Sequence, residues 1–156
     1  MGHCQQQDFS SLRVKVITVS DSRDLDSDKS GALICEKLGE AGHEITSREV
    51  VVDTINDIRH ALNRAIGDEQ AQVIILNGGT GVTSRDQTPE AIEPLFDKHL
   101  PGFGELFRHL SFSEIGAATI QSRATAGLIN GAVVFSLPGS TNACRLALDE
   151  IILPQL

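Results

Sequence analysis

Three aspartates and a run of glycines carry the chemistry that can be read from this chain. Asn77-Gly78-Gly79-Thr80-Gly81 sets three glycines in four positions, and Asp86 follows a few residues later. Missing Cβ atoms let an anion approach the backbone, and positive φ lets successive N–H groups converge on one point. Such a loop suits a phosphate or a carboxylate. Adjacent glycines also close tight turns after strands, the commonest use of the residue. Neither the Gly-Lys-Ser/Thr of a P-loop nor a G-x-G-x-x-G pattern is present. Asp21 and Asp53 each follow a predicted strand, where aspartate also serves as a turn or cap residue. Three aspartates meeting at the mouth of an anion cradle repel one another unless a divalent cation sits among them. Carboxylate, phosphate and water oxygens are the ligands Mg²⁺ prefers. That combination points to phosphoryl or nucleotidyl chemistry, in which a protein mainly positions groups and neutralises charge.

For these residues to meet, the elements carrying them must end at one edge. Val73 to Leu76 is apolar without alternation, the pattern of a strand buried on both faces of a parallel sheet. Arg13 to Ser20 reads as the first strand, and Asp24 to Lys29 as a mobile polar loop. A helix follows from Ser30 with Ile34, Leu38 and Ala41 on one face, stopped by Gly42. A second strand over about 43–52 leads to Thr54 and Asp57, a capping-box pair ahead of Ile55, Ile58, Leu62 and Ile66. The first half is thus β-α-β-α-β and should wind right-handed. After the glycine loop, Thr88 as N-cap and Pro89 as first helical residue predict a helix to about Lys98. Phe103, Leu106, Phe107 and Leu110 predict another. Ala132 to Leu137 is a final apolar strand ending in Pro138-Gly139-Ser140-Thr141-Asn142, with a last helix from about Ala143 to Ile152. A parallel sheet brings the glycine turn and the Pro-Gly-Ser turn to the same edge. The expectation is an α/β fold with a mostly parallel central sheet. Residues 13–156 form one domain, and 1–12 a disordered or poorly ordered tail.

Composition narrows the function. A formal charge of -8 disfavours a nucleic-acid binder, so an anionic ligand must be held by local donors, a few arginines or a metal ion. Cys4, Cys35 and Cys144 are far apart and form no C-x-x-C, which suggests neither zinc nor disulfides and fits a reducing cytoplasm. The five histidines do not pair at ligand spacing. The polar start has no apolar h-region, and no stretch approaches the ~18 apolar residues of a membrane span. Four of the six phenylalanines lie between Phe96 and Phe112, either as core or as a subunit contact.

The motifs V-S-D-S, A-G-H-E, V-V-x-D, G-G-T-G-x-T-x-x-D-Q-T-P-E-A, P-G-F-G-E-L-F-R, S-R-A-x-A-G and L-P-G-S-T-N-A-C recur here in order. Together they resemble the MoaB/MogA family of molybdenum cofactor biosynthesis proteins, also seen as a domain of gephyrin-like proteins. The likeness runs from about Arg13 to Leu156, and the wording of 103–113 and 121–127 is closer to the MoaB branch. It implies a three-layer α/β/α sandwich, homotrimers or homohexamers, and binding of molybdopterin. It also implies transfer of AMP from Mg-ATP to the pterin phosphate, with no permanently bound cofactor, ahead of a separate molybdenum-insertion protein. By the resemblance, Asp53 and Asp86 are the catalytic and Mg²⁺-holding carboxylates. Gly78, Gly79, Thr80 and Gly81 form the pterin- and phosphate-binding loop, and Ser122 and Arg123 hold the ligand's anionic end. Pro138, Gly139 and Ser140 make the far wall, while Ser20, Asp21 and Asn142 approach the nucleotide. MoaB-type members also include non-catalytic pterin carriers, which vary at the acidic residue after the first strand; here Asp21 is present.

Overall fold

The computed structural model describes residues 8–156; Cys4 and most of the expected N-terminal tail lie outside the described residues. Strands β1 (Arg13–Val19), β2 (Glu44–Val51) and β3 (Val73–Asn77) alternate with helices α1 (Lys29–Glu40) and α2 (Ile55–Gly67). Then come α3 (Thr88–Ile92), β4 (Lys98–His99), α4 (Pro101–Ile115), β5 (Thr125–Ile129), β6 (Ala132–Leu137) and α5 (Thr141–Ala147). The sheet order is β2-β1-β3-β6-β5-β4. Neighbours from β2 to β6 are parallel, whereas β5 and β4 are antiparallel additions. Every residue of β3 is buried, as its unalternated apolar run predicts.

Two cores flank the sheet. On one face Val14, Val16, Val73 and Ile75 pack with Ile34 and Leu38 of α1, Phe103 and Phe107 of α4 and Cys144 and Ala147 of α5. On the other, Ile17, Ile74 and Leu76 pack with Ile58 and Leu62 of α2 and Ala91 and Ile92 of α3. The period-two alternation of strand side chains sends successive β3 residues to opposite cores, producing three α/β/α layers. Of the clustered phenylalanines, Phe96, Phe103 and Phe107 are core, while Phe112 is exposed.

Three departures from the expected elements have physical causes. The helix predicted from Pro89 to Lys98 stops at Ile92 and gives way to a 3-10 turn over Glu93–Leu95. Pro94 lacks an N–H and its ring opposes the carbonyl four residues back, so the α-helix cannot pass it. Thr88 is inside α3 and does not cap it; its hydroxyl donates to Gly78 O at 2.8 Å. The polar loop is shorter than expected, because α1 begins at Lys29 under a cap in which Asp28 accepts from Gly31 N. The capping box at Thr54 forms as read, its side chain accepting from Asp57 N.

The outer strand β2 carries Glu44, Arg48 and Glu49, and its register with β1 shifts between Val14 and Lys15. Beside that bulge Lys15, 3% exposed, meets Glu69 at 2.9 Å and Glu49 at 3.0 Å. At the opposite margin β4 is only two residues long.

Candidate functional site

The carboxyl ends of β1, β3 and β6 meet, and the turns beyond them form one cleft. Gly78 N donates to Leu137 O at 2.9 Å, locking the glycine loop to the end of β6. Ser20 N donates to Val51 O at 2.9 Å, tying the exit of β1 to that of β2. A cavity of about 360 Å³ opens here, lined by Ser20 and Arg23 after β1, Gly78 to Gly81 after β3, and Pro138 and Gly139 after β6; Asp86, Gln121 and Ser122 complete the walls.

Gly78 and Gly79 both adopt positive φ, 99° and 66°. A Cβ on Gly79 would stand 2.7 Å from Asp53 Oδ2, so the bare backbone is what lets that carboxylate reach the loop. The N–H groups of Gly79 and Thr80 have no acceptor among the described residues. Asp53 Oδ1 accepts from Gln87 N at 3.0 Å, and Asp53 N donates to Asp21 Oδ1 at 3.0 Å. Asp86 Oδ2 accepts from Thr83 N at 2.9 Å and Thr83 Oγ1 at 2.7 Å.

The three aspartates sit in different fields. Burial pushes the Asp53 carboxyl up, the Gln87 N–H opposes it, and the negative charges of Asp21 and Asp86 add to the rise. Burial also acts upward on Asp86, but hydrogen bonds from Thr83 and the Gly81 N–H, with the Arg123 charge, bring it below its ordinary value. The Arg85 hydrogen bond, followed by the Asp53 N–H, lowers Asp21. An ion pair joins Arg85 to Asp21 across the mouth.

Arg123 is committed to the scaffold. Its Nε donates to Gly81 O at 2.8 Å, Nη2 to Asp86 O at 3.2 Å, and Nη1 pairs with Glu90. Its backbone N–H takes Thr80 O at 3.1 Å. Arg108 supports the same segment from below, donating to Ser122 O and Ala124 O. Ser122 Oγ is buried and has no partner among the described residues. Ser140 caps α5 through Ala143 N, and with Asn142 it lines a neighbouring cavity of about 590 Å³ between α4 and α5 rather than the glycine-loop cavity. Ser122 and Pro138 border both.

Several contributors are not evident from residue type. Thr18 Oγ1 donates to Asp28 Oδ2 at 2.7 Å and accepts from Asn77 Nδ2 at 2.9 Å, a polar chain buried under the strand ends. Asn77 Oδ1 has no partner there. Ser30 Oγ donates to Gly139 O at 2.8 Å. The available signal is a polar residue interrupting an apolar strand, as Thr18 does, since a buried polar group needs partners.

The carboxylates fit a hard divalent cation better than a zinc cage. Among the described residues no three or more His, Cys, Asp or Glu side chains gather as a metal site. Asp53 and Asp86 beside the glycine loop repel each other, a charge excess a cation would relieve. Mg²⁺ takes one or two carboxylates and completes its shell with phosphate and water. Cys35 and Cys144 are free thiols, and burial pushes Cys144 up to about 12, which removes it from nucleophilic chemistry.

Residues 15–156 match the family described as probable molybdopterin binding domain. The chain is 52% identical over 146 residues to molybdenum cofactor biosynthesis protein B of Bacillus subtilis (strain 168), covering 93% of this chain and 86% of that protein. A crystal structure of a molybdenum cofactor biosynthesis protein B aligns with TM-score 0.91 and 47% identity over 96% of this chain and 93% of the other. The tungsten cofactor synthesizing protein MoaB from Pyrococcus furiosus aligns with TM-score 0.84 and 45% identity over 92% of each chain.

Proposed function

The chain belongs to the molybdopterin binding domain family of molybdenum cofactor biosynthesis, and from that premise we propose that it binds molybdopterin and adenylylates it with Mg-ATP. The observation carrying this reading is the juxtaposition of two oppositely perturbed carboxylates, Asp53 and Asp86, with a glycine loop whose Gly79 and Thr80 N–H groups lack acceptors. In the reaction an oxygen of the pterin phosphate attacks the α-phosphorus of ATP. The bond from that phosphorus to the bridging oxygen breaks, and pyrophosphate leaves with the electron pair.

Asp53 and Asp86 would hold Mg²⁺, which would neutralise charge on the phosphates. The protein's own groups do the rest. Gly79 and Thr80 N–H donate to phosphate oxygens, as oriented backbone amides do at no reorganisation cost. Gln87 N–H and Thr83 fix the two carboxylates. The unpartnered Ser122 hydroxyl, on a residue bordering both cavities, would donate to the pterin phosphate. Mg-dependent pyrophosphate release from ATP on addition of molybdopterin tests this, and release no greater than that of Asp86→Asn overturns it.

One observation favours a second reading, a pterin carrier without turnover. Asp21, the nucleotide-side residue, is already engaged by Arg85 and by Asp53 N. A carrier binds molybdopterin equally with and without Mg-ATP. In either reading the protein acts in the cytoplasm as a homotrimer or homohexamer and passes its pterin to a molybdenum-insertion protein. Exposed Phe112, Ile115 and Ile120 supply apolar surface for self-association.

A further inference from the structure

Resting on the reading of the glycine-loop cavity as an anion site, we infer that the side chain gripping the phosphate-bearing ligand is Arg23, and that Arg123 serves to hold the loop in shape. The two arginines approach the loop from different sides. Arg123 has Nε, Nη1 and Nη2 each engaged by Gly81 O, Glu90 and Asp86 O, and it does not line the cavity. Pulling it onto a ligand would break those bonds and unpin the carbonyls that shape the loop.

Arg23 lines the cavity and is the one cation among its lining residues. Its single acceptor among the described residues is a neutral carbonyl, Gly139 O, at 3.2 Å from Nη1. None of the ion pairs among the described residues includes it. A guanidinium carries five N–H donors in a planar fork that matches phosphate oxygens, so most of its capacity is left without an acceptor among the described residues. Its place is fixed by the turn after β1, where Ser20 Oγ accepts from Ser22 N at 3.2 Å and Arg23 N at 3.1 Å. The chain's charge of -8 and the carboxylate of Asp86 on the same cavity oppose the entry of an anion, a repulsion that calls for a local cation. Arg23 meets that need at the wall formed by Gly139, on the β1 and β6 side of the loop.

The test is calorimetric titration of inorganic pyrophosphate in Mg²⁺ buffer at low salt, paired with urea unfolding. Arg23→Gln should weaken pyrophosphate binding by about tenfold or more, the loss of a charge-assisted contact, with the unfolding midpoint unchanged. Arg23→Lys should recover part of the affinity, since it restores the charge but not the fork. Arg123→Gln should lower the unfolding midpoint as well as the affinity. Binding by Arg23→Gln within about twofold of the unaltered protein would overturn the assignment while leaving the cavity reading intact. If the unaltered protein takes up no pyrophosphate, the cavity reading falls and the assignment with it.

Discussion

The two rims of the cleft are built differently. The rim from Gly78 to Glu90 is locked by Arg123, by Thr83 on Asp86, by Gln87 N on Asp53 and by Thr88 on Gly78 O. The rim from Ser20 to Ser27 is held by short-range turns, Ser20 Oγ on Ser22 N and Arg23 N, and Asp24 with Ser27. Ser20 N on Val51 O and Arg48 on Leu25 O tie it back to β2, while the Arg23 bond to Gly139 O, the Arg85 pair with Asp21 and the Asp21 bond to Asp53 N reach from it into the cleft. One rim is therefore rigid, and under the proposed function it would meet an anion and a cation already in place. The other keeps a charged side chain ready to rearrange onto a ligand. Rigid donors cost no ordering when the ligand arrives, while the adaptable arginine supplies charge where the ligand's shape varies.

The largest break in this contrast should come from Gly79→Ala. A side chain at φ 66° collides with Asp53 Oδ2 and Thr88 Oγ1. Left-handed strain and overpacking together cost about 2–4 kcal/mol. Urea unfolding should show that loss, and pyrophosphate release should disappear with it. Arg123→Gln comes next, removing charge-assisted bonds to Gly81 O, Asp86 O and Glu90 at a cost of about 1–3 kcal/mol, whereas Arg23→Gln should stay within about 0.5 kcal/mol of the unaltered protein.

An effect smaller than that of Arg123→Gln, and the sharpest in sign, separates the two aspartates. Asp53 is raised, so the folded state holds its proton more tightly than the unfolded chain does. Its ionisation costs nothing below the ordinary value of 3.8 and costs most above the raised folded value. Asp53→Asn should therefore be more thermostable than the unaltered protein at neutral pH, with the gap growing as pH rises through that window. The same variant should lose Mg-dependent turnover, a gain in stability at the expense of function. Asp86 is lowered, so its contribution is present above 3.8 and fades as pH falls through its folded value. Asp86→Asn should lose a little stability at neutral pH. Melting curves of both variants from pH 3 to pH 8 check the opposite slopes.

The parallel half of the sheet was legible because its strands are unalternated apolar runs closed by strong turn signals, as in Val73 to Gly79. The antiparallel half was not. Five residues that include Ala126 and Gly127 do not read as strand, yet Gly127 is required there, since a Cβ would overlap the Phe96 ring. The Asn130-Gly131 pair, at φ 48° and 83°, joins β5 to β6 as a hairpin turn, a signal that stands in the sequence without an evident first strand to attach to. In the cleft, the approach of Ser20, Gly78 and Gly139 follows from strand order and could be anticipated. Which arginine faces the cavity could not be, because Arg23 and Arg123 differ in their neighbours and not in their chemistry. The same holds for Ser140 and Asn142, which strand order brings near the cleft but helix α5 turns toward the adjoining cavity.

The sheet's two margins limit how copies of this chain can meet. Four backbone groups on the two-residue β4 offer almost nothing for another strand to pair with, and the kinked, charge-bearing β2 is a poor template at the other end. Among the described residues both flanks therefore disfavour growth by strand addition, and a concentrated solution of this protein should resist fibre formation.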